Sequence, residues 1–470
     1  MSELLNVKKL HNNVWDSTDI LIRCLIYNFG KLGNQIENII YNPICLSIEH
    51  SIKHSIKINI KKDILMIKLV LSKKDGANLP IKSWASELEE SAIKQAVNLA
   101  NLPFTFKYVA LMPDCHLCYG MPVGGVLATK DVIIPNAVGV DIGCGMSFCQ
   151  TNIPVSILYE TKDKQNRNLV KCMIDTISRN VPVGFGKHKT PQEWIGFQSA
   201  PDIDIIQSNL MNASISLGTL GGGNHFIELQ QDTKGNLCIM LHSGSRNLGK
   251  QICDYYNKIA ISLNEKWFSS VTKDKELAFL PINSCEGHEY KVAMDFALDF
   301  AKQNRQHMME KIKNICFNLI KKHIGNISKT ILNEVNAHHN YAIYENHFGQ
   351  NVIVHRKGAI RARKNDIGII PGSMETASYI VRGLGNAESF NSASHGAGRI
   401  MSRKKAKSLF SVNDMVKRLK DKNIILNCKN KNDVIDECGL AYKNIDEVIE
   451  NENDLVEVIE SVTQIGVVKG

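Results

Sequence analysis

Leu237-Cys238-Ile239-Met240-Leu241-His242-Ser243-Gly244-Ser245-Arg246 is the stretch on which the reading of the fold turns. Five apolar residues make a short buried strand, which breaks at a histidine, a small-residue turn and an arginine. The same grammar recurs along the chain. Val109-Ala110-Leu111-Met112 is a buried-strand candidate ending in Pro113-Asp114-Cys115-His116, and Val132-Ile133-Ile134 leads through Pro135 into Val138-Gly139-Val140-Asp141-Ile142-Gly143-Cys144-Gly145. Chemically active residues placed just beyond apolar strands sit where functional loops stand on a rigid sheet. An α/β fold with its site on strand-end loops follows. Ser83 is expected to N-cap a helix carrying Leu88, Ala92, Ala96 and Leu99 on one face. A longer helical pattern runs from about Lys291 to His323, with Phe296, Phe300, Met308, Ile312, Ile315 and Leu319 as its core face. Strand–helix alternation alone would also fit a doubly wound parallel sheet.

The 470 residues allow one large or two to three ordinary domains. A net charge of +9 is mild and spread along the chain, so it favours polyanions without marking a nucleic-acid binder. Thirteen cysteines are scattered and odd in number, unlike a disulfide framework. The first residues lack the apolar core of a signal peptide, and no stretch of about 18 apolar residues suggests a membrane span. The expectation is a cytoplasmic protein. Residues 1–65, rich in Ile, Lys and Asn, read as an N-terminal appendage, disordered or absent from the native protein, ahead of a catalytic domain over 66–470.

The stretch richest in chemistry is Asn391-Ser392-Ala393-Ser394-His395-Gly396-Ala397-Gly398-Arg399. Small residues beside His395 let a phosphate approach both ring and backbone. Arg399 and Arg403, at i and i+4, are expected to share one helix face and hold anionic oxygens. A histidine nucleophile acting on a nucleotide phosphate needs such surroundings. Asp141 and Cys144, three apart in a glycine-punctuated loop, are metal candidates, as are His225 after a glycine run, His242 at a strand end, and His339. Each alone is more often structural. Cysteine with histidine suits zinc or iron, and the carboxylate widens the range.

Three weaker motifs compete. Gly244-Ser245-Arg246-Asn247-Leu248-Gly249-Lys250-Gln251 nearly matches a P-loop, but Gln251 stands where the magnesium-binding hydroxyl belongs. Lys73-Lys74-Asp75-Gly76 fits the short pattern of lysine nucleotidyltransferases without its companions. Cys115 and Cys118 form a C-x-x-C with no second pair at finger spacing.

Met112-Pro113-Asp114, Val138–Gly145, Gly223–Glu228, His242–Arg246, His339-Asn340, His355-Arg356-Lys357-Gly358, Pro371-Gly372-Ser373-Met374, the His395 run and Val467-Val468-Lys469-Gly470 together resemble the RtcB family of GTP-dependent RNA ligases. The similarity runs in order from about Ile81 to the end. It implies a single α/β catalytic domain of α+β character, with mixed β-sheets flanked by helices. It also implies a ligase joining RNA 2′,3′-cyclic phosphate or 3′-phosphate ends to 5′-hydroxyl ends, in RNA repair or tRNA splicing. His395 would be guanylylated by GTP, and an RNA-3′-pp-5′-G intermediate would follow. Two Mn2+ ions would be held by Asp141, Cys144, His225, His242 and His339, with Cys144 bridging. The nucleotide would meet Asn224, His225, Phe226, Ile227, Glu228, His339, Asn340, Pro371, Gly372, Ser373, Met374, Ser378, His395, Gly396, Ala397, Gly398, Tyr442 and Lys469, with Glu228, Ser378 and Lys469 on the guanine and Tyr442 stacked on it. Arg246, Arg399 and Arg403 would contact RNA phosphates, Asp114 and His116 would lie near the reacting ends, and an archease-type activator is a further implied partner.

Glu375 departs from the glycine common in the family and is expected to disturb the nucleotide loop. Pro122 and Cys118-Tyr119 depart from the commoner glycine-rich loop. Two other readings stand beside the ligase: a metal-dependent RNA cyclic phosphodiesterase or phosphatase, and a non-catalytic RNA-end-binding protein. Retention of His395-Gly396-Ala397-Gly398 and Lys469 weighs against the first, and the full ligand set against the second.

Overall fold

The computed structural model describes residues 67–271 and 276–470; the expected appendage over 1–65 lies outside the described residues. Two large sheets, both mixed, carry the chain. In the eight-stranded sheet the order is Ile331–His338, Gly145–Pro154, Asn236–Ser243, Phe226–Asp232, Val456–Lys469, Ser378–Gly383 and Ile367–Ile370. The eighth strand, Ile425–Cys428, runs parallel to Val456–Lys469; the other pairings are antiparallel. The six-stranded sheet has one parallel pair, Ile81–Ser83 beside Thr105–His116. That pair needs a crossover, which the helix Glu90–Ala100 supplies. Antiparallel neighbours need only short turns, such as the Thr233-Lys234-Gly235 link between Phe226–Asp232 and Asn236–Ser243. A doubly wound parallel sheet is therefore not what this chain forms.

Alternation along the strands decides what faces the site. In Asn236–Ser243, Leu237, Ile239 and Leu241 pack against Met308 and Ile312 of the helix Cys285–His323 and against the helix Leu169–Asn180. Cys238 and Met240 point the other way, into a second cluster with Phe148, Ile369 and Ile380. His242 continues that second row past the cluster's end. The six-stranded sheet behaves alike: Val109 and Leu111 pack with Ala92, Ala96 and Leu99, while Tyr108, Ala110 and Met112 pack with Phe390, Ala393 and Ala397. Asp114 continues this last row, toward the His395 stretch.

Two expectations are corrected. Ser83 is not a helix cap; it ends the strand Ile81–Ser83, and its hydroxyl accepts the Ala85 N–H at 3.1 Å. Pairing with Val109–Leu111 claims it for the sheet, and the helix begins at Glu90. The long helix starts at Cys285 rather than Lys291, N-capped by Ser284, whose hydroxyl accepts from Gly287 N at 3.0 Å. Its Phe296, Phe300, Met308 and Ile312 are buried, but Ile315 and Leu319 are only partly so, and Arg305 and Asn304 are fully buried. Among the described residues no helix is long and apolar enough to cross a membrane.

Candidate active site at the sheet ends

Four elements deliver a cluster of donors. Cys144 precedes Gly145–Pro154, His242 lies in Asn236–Ser243, His225 precedes Phe226–Asp232, and His339 joins two strands. Pairing of Met146 and of Phe226 with His242, and of His338 with Gly145, draws the four together. Cys144 Sγ is 3.1 Å from His242 Nε2 and 3.5 Å from His225 Nε2. His242 Nε2 is 3.4 Å from His339 Nε2, and Asp141 Oδ2 is 3.3 Å from His225 Nε2. The ring hydrogens are committed elsewhere: His225 Nδ1 meets Leu220 O at 3.0 Å and His242 Nδ1 meets Asn224 O at 3.3 Å. Each Nε2 lone pair therefore faces the thiol. Burial holds His242 and His339 well below the ordinary imidazole range, so both rings are neutral, while burial pushes the Cys144 thiol up. One thiol hydrogen cannot serve both facing lone pairs, an arrangement a cation resolves, and a cation would also make the thiolate. The donor set fits a metal.

Buried polar groups hold the ligand loop. Arg305 donates to Gly143 O at 2.8 Å and to Ser243 O at 3.0 Å, joining the Cys144 and His242 segments. Asn340 donates from Nδ2 to Asp141 O at 3.1 Å and accepts from Gly358 N at 2.8 Å. Gly143 has φ +79°, and a Cβ there would sit 2.8 Å from the Ala301 methyl, so only glycine lets the loop pass the helix.

His395 stands over this cluster, its ring centroid 4.7 Å from that of His339. Asp114 Oδ2 accepts from His395 Nδ1 at 2.7 Å and from its backbone N–H at 3.1 Å. The carboxylate so fixes the tautomer with hydrogen on Nδ1 and leaves Nε2 as the free nucleophilic nitrogen. Gly398 has φ +74°, and a Cβ there would lie 2.3 Å from Asp114 O, so the strand bearing Asp114 and the His395 run close on each other only through a glycine.

His395, Cys144, His242 and His339 line a cleft of about 580 Å3. Its far wall holds Lys469, Tyr442, Arg399 and Arg403, all converging on one buried carboxylate, Glu437. Lys469 Nζ is 3.0 Å, Tyr442 Oη 2.6 Å, Arg403 Nη1 2.7 Å and Arg399 Nη1 3.2 Å from Glu437 oxygens. Burial alone would raise the Glu437 carboxyl, but Lys469, Arg403, Tyr442 and Arg399 hold it at about 2. Glu228, on the strand paired with that of Lys469, is raised to about 7 by burial against the pull of Gln230, Gln464 and Lys469.

A family profile described as tRNA-splicing ligase RtcB matches residues 95–200 and 196–470. The chain belongs to the RtcB family. It is 40% identical over 410 residues to the RNA-splicing ligase RtcB of Escherichia coli (strain K12), covering 84% of this chain and 98% of that one. It is 31% identical over 477 residues to the tRNA-splicing ligase RtcB of Nanoarchaeum equitans, covering 85% and 97%, and 30% identical over 449 residues to the RNA-splicing ligase RtcB of Mycobacterium bovis, covering 80% and 100%.

Within this RtcB-family chain, Asn224, Phe226, Asn340, the Pro371–Met374 loop, Gly396, Ala397 and Gly398 line the same cleft. Ser378 sits behind the loop, its hydroxyl accepting from Gly372 N at 3.2 Å. Ile227 turns its side chain into the core on the opposite face. Arg246 lies beside the glycine run, donating to Thr219 Oγ1 at 2.7 Å and Gly184 O at 3.0 Å. Arg399 and Arg403 do not share a helix face, because the helix starts at Arg403 with Ser402 as its cap; the shared carboxylate brings them together instead. Glu375 is fully accommodated, accepting from Arg418 Nε at 2.8 Å and Gly439 N at 3.0 Å.

The P-loop lookalike places Lys250 on the surface, paired with Asp254. Lys73 and Lys74 occupy an exposed turn, and Cys115 is a buried thiol pushed up to about 12 by burial. Sequence reasoning missed Glu437 and Arg305. Two adjacent acids in Val434-Ile435-Asp436-Glu437-Cys438, an otherwise apolar run, were the available signal for the first; for Arg305 it was a charge on the helix face of Met308 and Ile312.

Proposed function

We propose that this chain is a GTP- and Mn2+-dependent RNA ligase that joins 2′,3′-cyclic phosphate or 3′-phosphate ends to 5′-hydroxyl ends, in RNA repair or tRNA splicing. The observation that carries the reading is His395, with Asp114 on Nδ1 and Nε2 left free, in one cleft with the Cys/His donor cluster. Nε2 attacks the α-phosphorus of GTP, forming a P–N bond as the bond to the β-phosphate oxygen breaks and pyrophosphate leaves. Asp114 stabilises the positive charge that grows on the ring. An RNA 3′-phosphate oxygen then takes the GMP, breaking the P–N bond, and the 5′-hydroxyl oxygen displaces GMP to close the phosphodiester. A cyclic phosphate end balances this scheme only after water has opened it to the 3′-phosphate. Asp141, Cys144, His225, His242 and His339 would hold two Mn2+, which neutralise phosphate charge and polarise the reacting oxygens. Glu228, Ser378 and Lys469 would read the guanine, and Tyr442 would stack on it. Arg246, Arg399 and Arg403 would meet RNA phosphates, and an archease-type protein would serve turnover.

Residues 66–470 are proposed as the catalytic unit, and the free thiols described suit a cytoplasmic setting. The test is incubation with Mn2+ and α-labelled GTP followed by a denaturing gel. Label is expected on the protein, absent with ATP and lost in His395→Ala. Label that survives His395→Ala, or cyclic-phosphate cleavage without any labelling, overturns the proposal, the second outcome in favour of a phosphodiesterase.

A further inference from the structure

Behind His395, three buried oxygens have no hydrogen-bond partner among the described residues. They are Asp114 Oδ1, Ser394 Oγ and Glu452 Oε1, on residues that are each 0% exposed. Orphaned buried oxygens are individually costly, and three beside one nucleophile call for a common explanation. Their surroundings supply it. Glu452 sits in the turn between the helix Ile445–Glu450 and the strand Val456–Lys469. Its Oε2 accepts the backbone N–H of Ser394 at 2.8 Å, the residue next to the nucleophile. Asp114 Oδ2 is spent on His395, leaving Oδ1 free.

We propose that Glu452 is a positioning residue for His395, holding the Ser394 N–H beside the nucleophile and completing, with Asp114 and the Ser394 hydroxyl, a buried polar group behind it. The charges acting on Glu452 are Asp114 and, from its own turn, Asp454. Burial first, then these two acids, pushes its carboxyl well above the ordinary range despite the opposing Ser394 contacts. Glu452 therefore carries its proton and can donate, while the Ser394 hydroxyl donates or accepts and Asp114 Oδ1 accepts. The geometry is consistent: Asp114 Oδ2 is directed at Nδ1 of His395. A second anion there would pull the Asp114 hydrogen bonds out of line.

This assignment deepens the ligase reading, and its test separates the two. Selectively 15N-histidine-labelled protein, with His395→Ala to assign the ring, reports the His395 tautomer without any nucleotide; initial self-labelling rates with GTP report the chemistry. Glu452→Gln keeps the acceptor for Ser394 and a donor in place of the acid. Wild-type tautomer and a rate within about twofold are expected for it. Glu452→Ala should mix the two tautomers and slow labelling by about tenfold or more, the cost of a misaligned nucleophile. Glu452→Gln behaving like Glu452→Ala would show that a charge is needed and overturn the proposal. So would an unchanged ring signal in Glu452→Ala. Should Glu452→Ala fail to melt cooperatively, Ser394→Ala removes only the hydroxyl, and an unmoved His395 signal there is equally fatal. If wild-type protein never labels, the ligase reading falls while the ring signals still decide the role of Glu452.

Discussion

Glu228 is a single carboxyl whose charge is set by its surroundings. Burial raises it to about 7, so it is largely protonated in mildly acidic solution. The sign follows from linkage: an acid raised on folding contributes stability below the ordinary carboxylate range, and that contribution is lost as pH rises through about 7. Guanine offers two adjacent donors on its N1 and N2 edge, which an ionised carboxylate accepts best. Affinity for GTP should therefore climb as pH rises through about 7, while the melting temperature of the free protein falls. Isothermal titration and thermal melts across that range check both slopes. Glu228→Gln should flatten each and weaken GTP by about tenfold, the worth of one charge-assisted hydrogen bond. A pH-independent affinity in wild-type protein would rule out contact between Glu228 and the base. Cys144→Ser, at the same scale, should weaken manganese binding by about a hundredfold or more, since a hydroxyl does not ionise as a thiol does beside a cation. Manganese affinity equal to wild type would remove Cys144 from the ligand set.

At the scale of elements, the helix Cys285–His323 does more than cover the eight-stranded sheet. Its Arg305 is fully buried and bonds Gly143 O, Ser243 O, Asn336 Oδ1 and the His338 ring, so one side chain sets the spacing of the segments that carry Cys144 and His242. Burial lowers Arg305 to about 10, opposed by Cys144 and Asp141, and it stays charged at neutral pH. Arg305→Met should keep much of the packing and orphan two carbonyls, costing about 2 kcal/mol or more. Denaturant unfolding checks the stability. Manganese affinity, titrated in parallel, should fall about tenfold or more, as when the groups supporting metal ligands are removed. In the sequence Arg305 lies three residues before Met308 and seven before Ile312, on the core face, but its charge argues for solvent in a helix rich in charged residues. Its burial depends on two sheet strands ending beneath it, which no local pattern reports.

At the scale of the molecule, the cleft is a seam between substructures distant in sequence. Asp114 comes from the six-stranded sheet, His242 and Lys469 from the eight-stranded sheet, and Glu437 from the turns before the last strand. Glu437 gathers Lys469, Tyr442, Arg399 and Arg403 on one anion, and that hub aligns the cationic wall. Glu437→Gln should leave the Cys/His cluster intact, with manganese affinity unchanged, yet raise the KM for GTP in self-labelling by about tenfold as the cations lose their alignment. Equal effects on metal and nucleotide would indicate general unfolding instead. A wild-type KM would show that the cations need no such hub.

Much was legible in the chain because its information is local. The run Leu237–Leu241 ending at His242 is a strand because alternation and apolarity act over a few residues, and the glycines around Cys144 and His395 mark sharp turns. Donor chemistry is likewise intrinsic to residue type, so the Asp/Cys/His candidates could be named before any contact was known. Only the tertiary structure decided that Ser83 belongs to a sheet, that Arg399 and Arg403 meet at Glu437 rather than along a helix, that Glu375 is tied down by Arg418, and that Glu452 bonds the residue next to His395. Each depends on what a residue meets across a long sequence separation, where burial and hydrogen-bond satisfaction, not propensity, carry the larger free energies.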